Sequence, residues 1–397
     1  MKYAAVSSRL ASLGGEKWRM HALAMQMQQS GREIINLTIG EPDVPTPPAL
    51  VEAAADAMRS GRTGYSDGRG EQALLDALAR RYSHSSGRQI GRENILCFPG
   101  TQTALYTTLM GIAETGDEVL VGDPMYATYA GVVAASGATL ITVPLKADNG
   151  FRLSVTDVAS RITGNSRAIL INTPHNPTGA ILSSGDIREL GDLAIQHDLW
   201  IIVDEVYEEL VFADARFISP LAFKEYSDRV IAVSSISKSH AAPGFRSGWC
   251  IGPAEFCSRV LPMSETMLFG NQPFIADMTV QAISNRSDVA AGMCRRFSKR
   301  AKLIATALDG VSGLRVNHPQ AGMFVLVNIA STYLSGDDFA MSLLKTMGVA
   351  VMPGSSFGES LNDWVRMTLT VDDEQIHEAT RRIAEHAEAL RSQHRSP

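Results

Sequence analysis

The sequence predicts an α/β protein: a large domain built on a mainly parallel sheet covered by helices, followed by a smaller α+β domain. Three observations carry that expectation. The chain has 397 residues, more than one ordinary core accommodates, so two domains are expected. Through its middle, short apolar β-rich runs alternate with helical patterns, the signature of parallel strands joined by crossover helices. After about residue 290 the pattern changes to long charged helices with few strands between them.

The candidate strands of the large domain are 118–121, 139–143, 168–172, 200–203, 230–234 and 248–251. Ala168-Ile169-Leu170-Ile171 is continuously apolar, as a strand buried on both faces must be. Helical spacing falls between them, at 102–113, 126–135, 155–162 and 187–197. The smaller domain opens with a helix at 295–308, continues with strands at 323–328 and 365–369, and closes with an amphipathic helix at 373–391. The expected division is 1–47 as an N-terminal segment packing with the small domain, 48–290 as the large domain, and 291–397 as the small one.

Bulk chemistry excludes several functions. A net charge of −6 with scattered Lys and Arg offers no concentrated basic surface for nucleic acid. The four cysteines, Cys97, Cys250, Cys257 and Cys294, form no CxxC pair, and the histidines show no H-E-x-x-H spacing. Neither a disulfide framework nor a metal site is expected. No basic stretch followed by an apolar one opens the chain, and no run of about 18 apolar residues could span a bilayer. A reduced, cytoplasmic enzyme that binds neither nucleic acid nor membrane is the expectation.

Ligands of open α/β sheets sit beyond the carboxyl ends of the strands, so the loops there hold the candidate chemistry. After Val233 come Ser234-Ser235-Ile236-Ser237-Lys238-Ser239, with Arg246 eight residues past the lysine. A lysine at a strand end suits a carbonyl-directed nucleophile, and the hydroxyls and arginine suit a phosphate ester; a solvated lysine in a Ser-rich loop would look the same. Trp200-Ile201-Ile202-Val203 leads into Asp204, with Tyr207 three residues on. A carboxylate so placed can keep a pyridine nitrogen protonated, or it can simply cap a helix. Asn176 is displayed by the rigid turn Thr173-Pro174-His175-Asn176-Pro177-Thr178-Gly179, in which His175 reads as structural. Gly100-Thr101-Gln102 opens a helix, where free N–H groups and the dipole attract anions. Tyr126 follows another strand and either stacks on a planar ring or joins the core. Arg366 stands inside the apolar run Trp364-Val365-Arg366-Met367 and needs a partner there: a substrate carboxylate or a structural acid.

Singly these signals are modest, but their order resembles the motif series of the class I, fold-type-I aminotransferases over essentially the whole chain. Ile39-Gly40-Glu41-Pro42-Asp43 and Tyr65-Ser66-Asp67-Gly68-Arg69-Gly70 fit the same series. The likeness is greatest to the arginine–pyruvate transaminases, through Pro174-His175-Asn176-Pro177, Ser237-Lys238-Ser239-His240, and Trp18 with His21. The resemblance implies pyridoxal 5′-phosphate linked to Lys238, which also moves the substrate proton. It implies that Asp204 pairs with the ring nitrogen, and that Tyr207 and Asn176 hold the phenolic oxygen. Gly100, Thr101, Gln102, Ser235, Ser237 and Arg246 would hold the phosphate, with Tyr126 stacked on the ring. Arg366 would take the substrate carboxylate, beside Gly40, Asn176 and Trp18. Tyr65 would reach a neighbouring subunit's phosphate, which makes a homodimer part of the expectation. Many relatives have Met-Thr-Gly-Trp-Arg where Ala242-Pro243-Gly244-Phe245-Arg246 stands here, at unchanged spacing.

The expected reaction moves an amino group from an L-amino acid to a 2-oxo acid, arginine to pyruvate in particular. Aspartate or broad specificity, and a lyase or synthase on the same fold, remain open alternatives. A ligand-sensing half of a transcription regulator would need a DNA-binding segment ahead of Ile35, where only about 30 residues stand. For the donor side chain, Glu16 and Asp67 are candidate acids and Arg19 and Arg69 candidate cations.

Overall fold

The computed structural model describes residues 1–395 apart from 12, 14 and 269; the side chains of Glu16, His394 and Arg395 are likewise outside the described residues. The strands are β1 (Ile35–Asn36), β2 (Ile95–Phe98), β3 (Glu118–Asp123), β4 (Thr139–Pro144), β5 (Ser166–Asn172), β6 (Trp200–Asp204), β7 (Val230–Ser235) and β8 (Gly248–Ile251), then β9 (Arg315–Val316), β10 (Phe324–Asn328), β11 (Val349–Ala350), β12 (Met352–Pro353) and β13 (Trp364–Thr368). Seven of them form one sheet in the order β2-β8-β7-β6-β5-β3-β4. The pairs from β7 through β6, β5 and β3 to β4 are parallel, and β8 runs antiparallel to both its neighbours. Every residue of β7 is buried, as are the last four of β6 and the last five of β5. Helices therefore cover both faces.

The expected strands are all present; β1, β9, β11 and β12, of two residues each, are additions, and in the large sheet so is β2. Its four residues are too short to show a period, and it is recognisable only through its pairing with β8. Helix starts also differ from the apolar pattern. Helix Ser184–Gln196 begins three residues before the expected 187, because Ser183 and Asp186 cap each other reciprocally: Asp186 N–H donates to Ser183 Oγ at 3.1 Å, and Ser183 N–H to Asp186 Oδ2 at 2.7 Å. Helix Tyr129–Ser136 begins after the expected 126, which leaves Tyr126 in the preceding turn with its ring free of the helix. Helix Asp288–Leu308 begins at Ser287, whose Oγ accepts from the N–H of Ala290.

A second sheet, β12-β13-β10-β9, is antiparallel, and Arg366 sits at its centre opposite both Leu326 and Met352. Helices Asp288–Leu308, Gly336–Met347 and Asp373–Arg395 accompany it. Residues 1–47 divide their contacts. β1 pairs in parallel with β11, beside the second sheet, whereas helix Ala5–Ala11 lies against helix Tyr129–Ser136 of the large sheet's layer, with Arg9 Nε donating to Ala134 O. Among the described residues no helix is long and apolar enough to cross a membrane.

Candidate active site

A cleft of about 270 Å³ opens between the two sheets. It lies beyond the carboxyl ends of β2, β3, β5, β6 and β7, where the antiparallel β8 presents its amino end instead. Thirteen of the fifteen residues expected from sequence line it: Trp18, Gly40, Thr101, Gln102, Tyr126, Asn176, Asp204, Tyr207, Ser235, Ser237, Lys238, Arg246 and Arg366. Gly100 lies immediately behind Arg246. Tyr65 is 90% exposed and outside this chain's own cleft.

Asp204 closes β6 and is buried. Its Oδ2 accepts from Tyr129 Oη at 2.8 Å and its Oδ1 from Val206 N–H at 3.1 Å. Burial pushes the carboxyl up to about 6, against the pull of these two donors. No helix begins after it, so the helix-cap alternative does not apply. On the adjacent strand Asn172 faces Asp204 in register and organises the next loop: its Nδ2 donates to Asp204 O at 2.9 Å and its Oδ1 accepts from Asn176 N–H at 2.7 Å. The Asn176 side chain is thereby delivered to Tyr207, with which it shares a hydrogen bond. Burial drives the Tyr207 phenol upward. His175 is buried, bonded through Nδ1 to Thr178 Oγ1, and held neutral by burial at about 4, which fits its structural reading.

Lys238 projects from the turn after β7 and donates to Gly40 O at 3.0 Å. Burial lowers its ammonium to about 8, with Glu41 opposing and Arg366 and Arg246 assisting. Near neutrality a useful fraction is thus the free amine, the form that attacks a carbonyl. That result disfavours a fully solvated lysine.

A polar corner follows where Gly100 starts helix Thr101–Ile112. Gly100 has φ +88°, and a Cβ there would meet Arg246 Nη2 at 2.2 Å, so only glycine lets the guanidinium approach. Arg246 itself holds a left-handed φ of +53°. Ser235 and Ser237 are buried beside it, and Thr101 Oγ1 is buried without a partner. A helix N-terminus, an unpartnered hydroxyl, two serines and an arginine suit a phosphate monoester.

Across the cleft Arg366 is 2% exposed and has no carboxylate in ion-pair reach among the described residues. Its Nη2 donates to Thr38 O at 2.6 Å, its Nη1 reaches Asn176 Oδ1 at 3.4 Å, and its Nε has no partner. Phe324 and Phe357 cover the guanidinium, with ring centroids 3.8 and 4.3 Å from Cζ. Burial lowers it to about 9, which leaves it a cation at neutral pH. An unpaired buried cation costs several kcal/mol, and a ligand carboxylate would relieve that cost. The structural salt-bridge alternative is absent.

Sequence reading missed Tyr129, Asn172, Phe324 and Phe357. Tyr129 was the most accessible of these, since its spacing of three from Tyr126 places both on one face of a turn; the rings meet edge-on at 5.5 Å. Removing its hydroxyl withdraws a donor that holds Asp204 down, so Tyr129→Phe is expected to raise the Asp204 carboxyl further. If ionised Asp204 is needed, the acid limb of the kcat/KM profile should move to higher pH, by up to about one unit. An unmoved limb would show that Tyr129 is packing only.

A buried lysine whose ammonium is weakened by burial, a buried carboxylate and an anion-seeking corner around one cleft define an enzyme of carbonyl and phosphate-ester chemistry. Residues 32–383 match the aminotransferase class I and II family, and the chain belongs to it. It is 39% identical over 384 residues to an arginine–pyruvate transaminase of Pseudomonas aeruginosa, covering 97% of this chain and 98% of that protein. It is 31% identical over 382 residues to aromatic-amino-acid aminotransferase 2 of Thermococcus litoralis, covering 96% and 97%. The solved aspartate aminotransferase of Rhizobium meliloti superposes with a TM-score of 0.92 at 27% identity, covering 98% and 99%. The protein is a pyridoxal-phosphate-dependent aminotransferase of fold type I.

Proposed function

We propose that this aminotransferase takes its amino group from L-arginine, or another long basic amino acid, and gives it to pyruvate. The observation that carries this reading is the charge inventory of the cleft. Its charged side chains among the described residues are Lys238, Arg246, Arg366 and Asp204. Each has a use at the cofactor or the α-carboxylate, so this chain's own lining of the cleft offers no further cation for the distal carboxylate of aspartate. Arg69, a candidate for that task, donates to the carbonyls of Arg92, Glu93 and Ile95. Trp18 offers flat apolar surface on which a guanidinium can stack at about 0.5–2 kcal/mol. The 39% identity to an arginine–pyruvate transaminase supports the same donor.

Pyridoxal phosphate, when bound, supplies an electrophilic carbon and a ring that draws electrons from the substrate. Lys238 would hold the cofactor through its neutral amine and would serve as the base that moves the proton at the substrate Cα. Asp204 would keep the ring nitrogen protonated, while Tyr207 and Asn176 would hold the phenolic oxygen. The helix start at Gly100–Gln102, with Ser235, Ser237 and Arg246, would hold the phosphate; the unpartnered Thr101 hydroxyl fits that role. Tyr126 would stack on the ring. Arg366 clamps the α-carboxylate of both substrates, with Gly40, Asn176 and Trp18 alongside.

We further propose a homodimer in which the exposed Tyr65 reaches the partner's phosphate; a monomer mass by sedimentation would exclude it. Cytoplasmic residence, testable by cell fractionation, belongs to the same reading. So does the division into 1–47, 48–290 and 291–397, with the last boundary in the first turn of helix Asp288–Leu308.

The substrate test is single-turnover amination of the cofactor with L-arginine, L-aspartate, L-alanine and an aromatic amino acid. Arginine is expected to be fastest. Aspartate ahead of arginine by about tenfold, or 1.4 kcal/mol, would make the protein an aspartate aminotransferase.

A further inference from the structure

The connection between β12 and β13 touches three separate parts of the cleft. Phe357, 1% exposed, lays its ring on the Arg366 guanidinium at 4.3 Å and accepts the N–H of Met125 on its own carbonyl at 2.7 Å. Met125 precedes Tyr126, the aromatic at the cofactor end of the cleft. One residue on, a Cβ at Gly358 would lie 1.6 Å from Asp123 Oδ1, and Ser360 Oγ donates to that same oxygen at 3.1 Å. On the other side Ser356 Oγ donates to Lys17 O at 3.1 Å, and Lys17 Nζ to Ala127 O at 3.1 Å. Lys17 precedes Trp18 at the cleft wall. This one loop therefore holds the Tyr126 turn, the Trp18 turn and the arginine together.

We propose that Phe357 is a positioning residue: it fixes the Arg366 guanidinium and ties it, through the Phe357–Ser360 loop, to the turn that carries Tyr126. The inference rests on the reading of Arg366 as the α-carboxylate clamp. Two hydrogen bonds orient Arg366, one of them long at 3.4 Å, and Nε has no partner. Polar contacts alone leave the plane of the guanidinium weakly held. The Phe324 and Phe357 rings, with centroids 3.8 and 4.3 Å from its Cζ, supply the missing restraint by packing against it. Phe324 also occupies the space a side chain at Gly40 would take, with its Cζ 2.3 Å from a Cβ there. It thus orders the strap that receives Lys238, whereas Phe357 connects to the cofactor-side turn.

The test compares Phe357→Leu, Gly358→Ala, Arg366→Lys and the double variant Phe357→Leu/Arg366→Lys. Readouts are KM and kcat for each substrate, competitive inhibition by propanoate, and the dissociation constant of the cofactor. Phe357→Leu should raise both KM values and the inhibition constant by the same factor, about tenfold, with kcat and cofactor affinity little changed. Gly358→Ala, which does not touch Arg366, should move the same constants in the same direction. In the Arg366→Lys background the Phe357 substitution should add almost nothing. Unchanged KM values, a loss confined to kcat or thermal stability, or full additivity in the double variant would overturn the proposal. If Phe357→Leu fails to bind cofactor or melt cooperatively, Phe357→Met and Gly358→Ala carry the same comparison. Arg366→Lys with unchanged KM would instead remove the clamp reading itself.

Discussion

Lys238→Ala is expected to fold, to bind pyridoxal phosphate without a covalent link, and to lose transamination by several orders of magnitude. Two jobs disappear together. No other lysine lines the cleft among the described residues, so nothing else there can form the link. The base that moves the Cα proton is also gone, and positioned general bases alone contribute about 10²–10⁴-fold. Burial that lowers the ammonium to about 8 has a direction in pH. Attachment of the cofactor to the apoenzyme should accelerate as pH rises toward that value, because the neutral amine is the reactive form. Stopped-flow absorbance of cofactor binding across pH 6–9 reads this directly. A Lys238→Ala enzyme with near-normal turnover would refute the assignment.

Asp204→Asn should be the next most damaging change, slowing Cα proton removal by roughly 10²–10³-fold, as loss of a single preorganised electrostatic partner does. The amide oxygen can still accept from Val206 N–H, and the Tyr129 hydroxyl can turn to accept from the amide NH2, so fold and cofactor content should survive. What it lacks is the charge that holds a proton on the ring nitrogen. A substrate deuterated at Cα should show an increased isotope effect in the variant, since proton removal becomes more strongly limiting. Unchanged turnover would reduce Asp204 to a structural ligand of Tyr129.

The residues of these two expectations were legible in the sequence for a common reason. Lys238 and Asp204 each follow an apolar run that can only be a buried strand, and in parallel sheets such runs end at the ligand-binding edge. Arg366 was legible by contradiction, as a cation inside an apolar run. The sequence left its partner open between a substrate and a structural acid, and only the three-dimensional arrangement removes the acid. Tyr129, Asn172, Phe324 and Phe357 were not legible, because each acts on a residue brought near by folding: Tyr129 lies 75 positions from Asp204. Phe324 and Phe357 look like ordinary core from sequence; the pairing of β10 with β13 sets the position of Phe324, and the connection from β12 to β13 sets that of Phe357. The fold was read well where strands are buried on both faces. It was read poorly where an element is short, as in β2, or where a polar cap rather than an apolar stripe sets the start, as at Ser183 and Ser287.

The central claim, that one specific lysine carries the cofactor, is tested most directly by trapping. Holoenzyme reduced with borohydride, digested and analysed by mass spectrometry should carry the phosphopyridoxyl label on the peptide containing Lys238. Label on any other lysine, or a Lys238→Ala protein that traps as much as the parent, would contradict it.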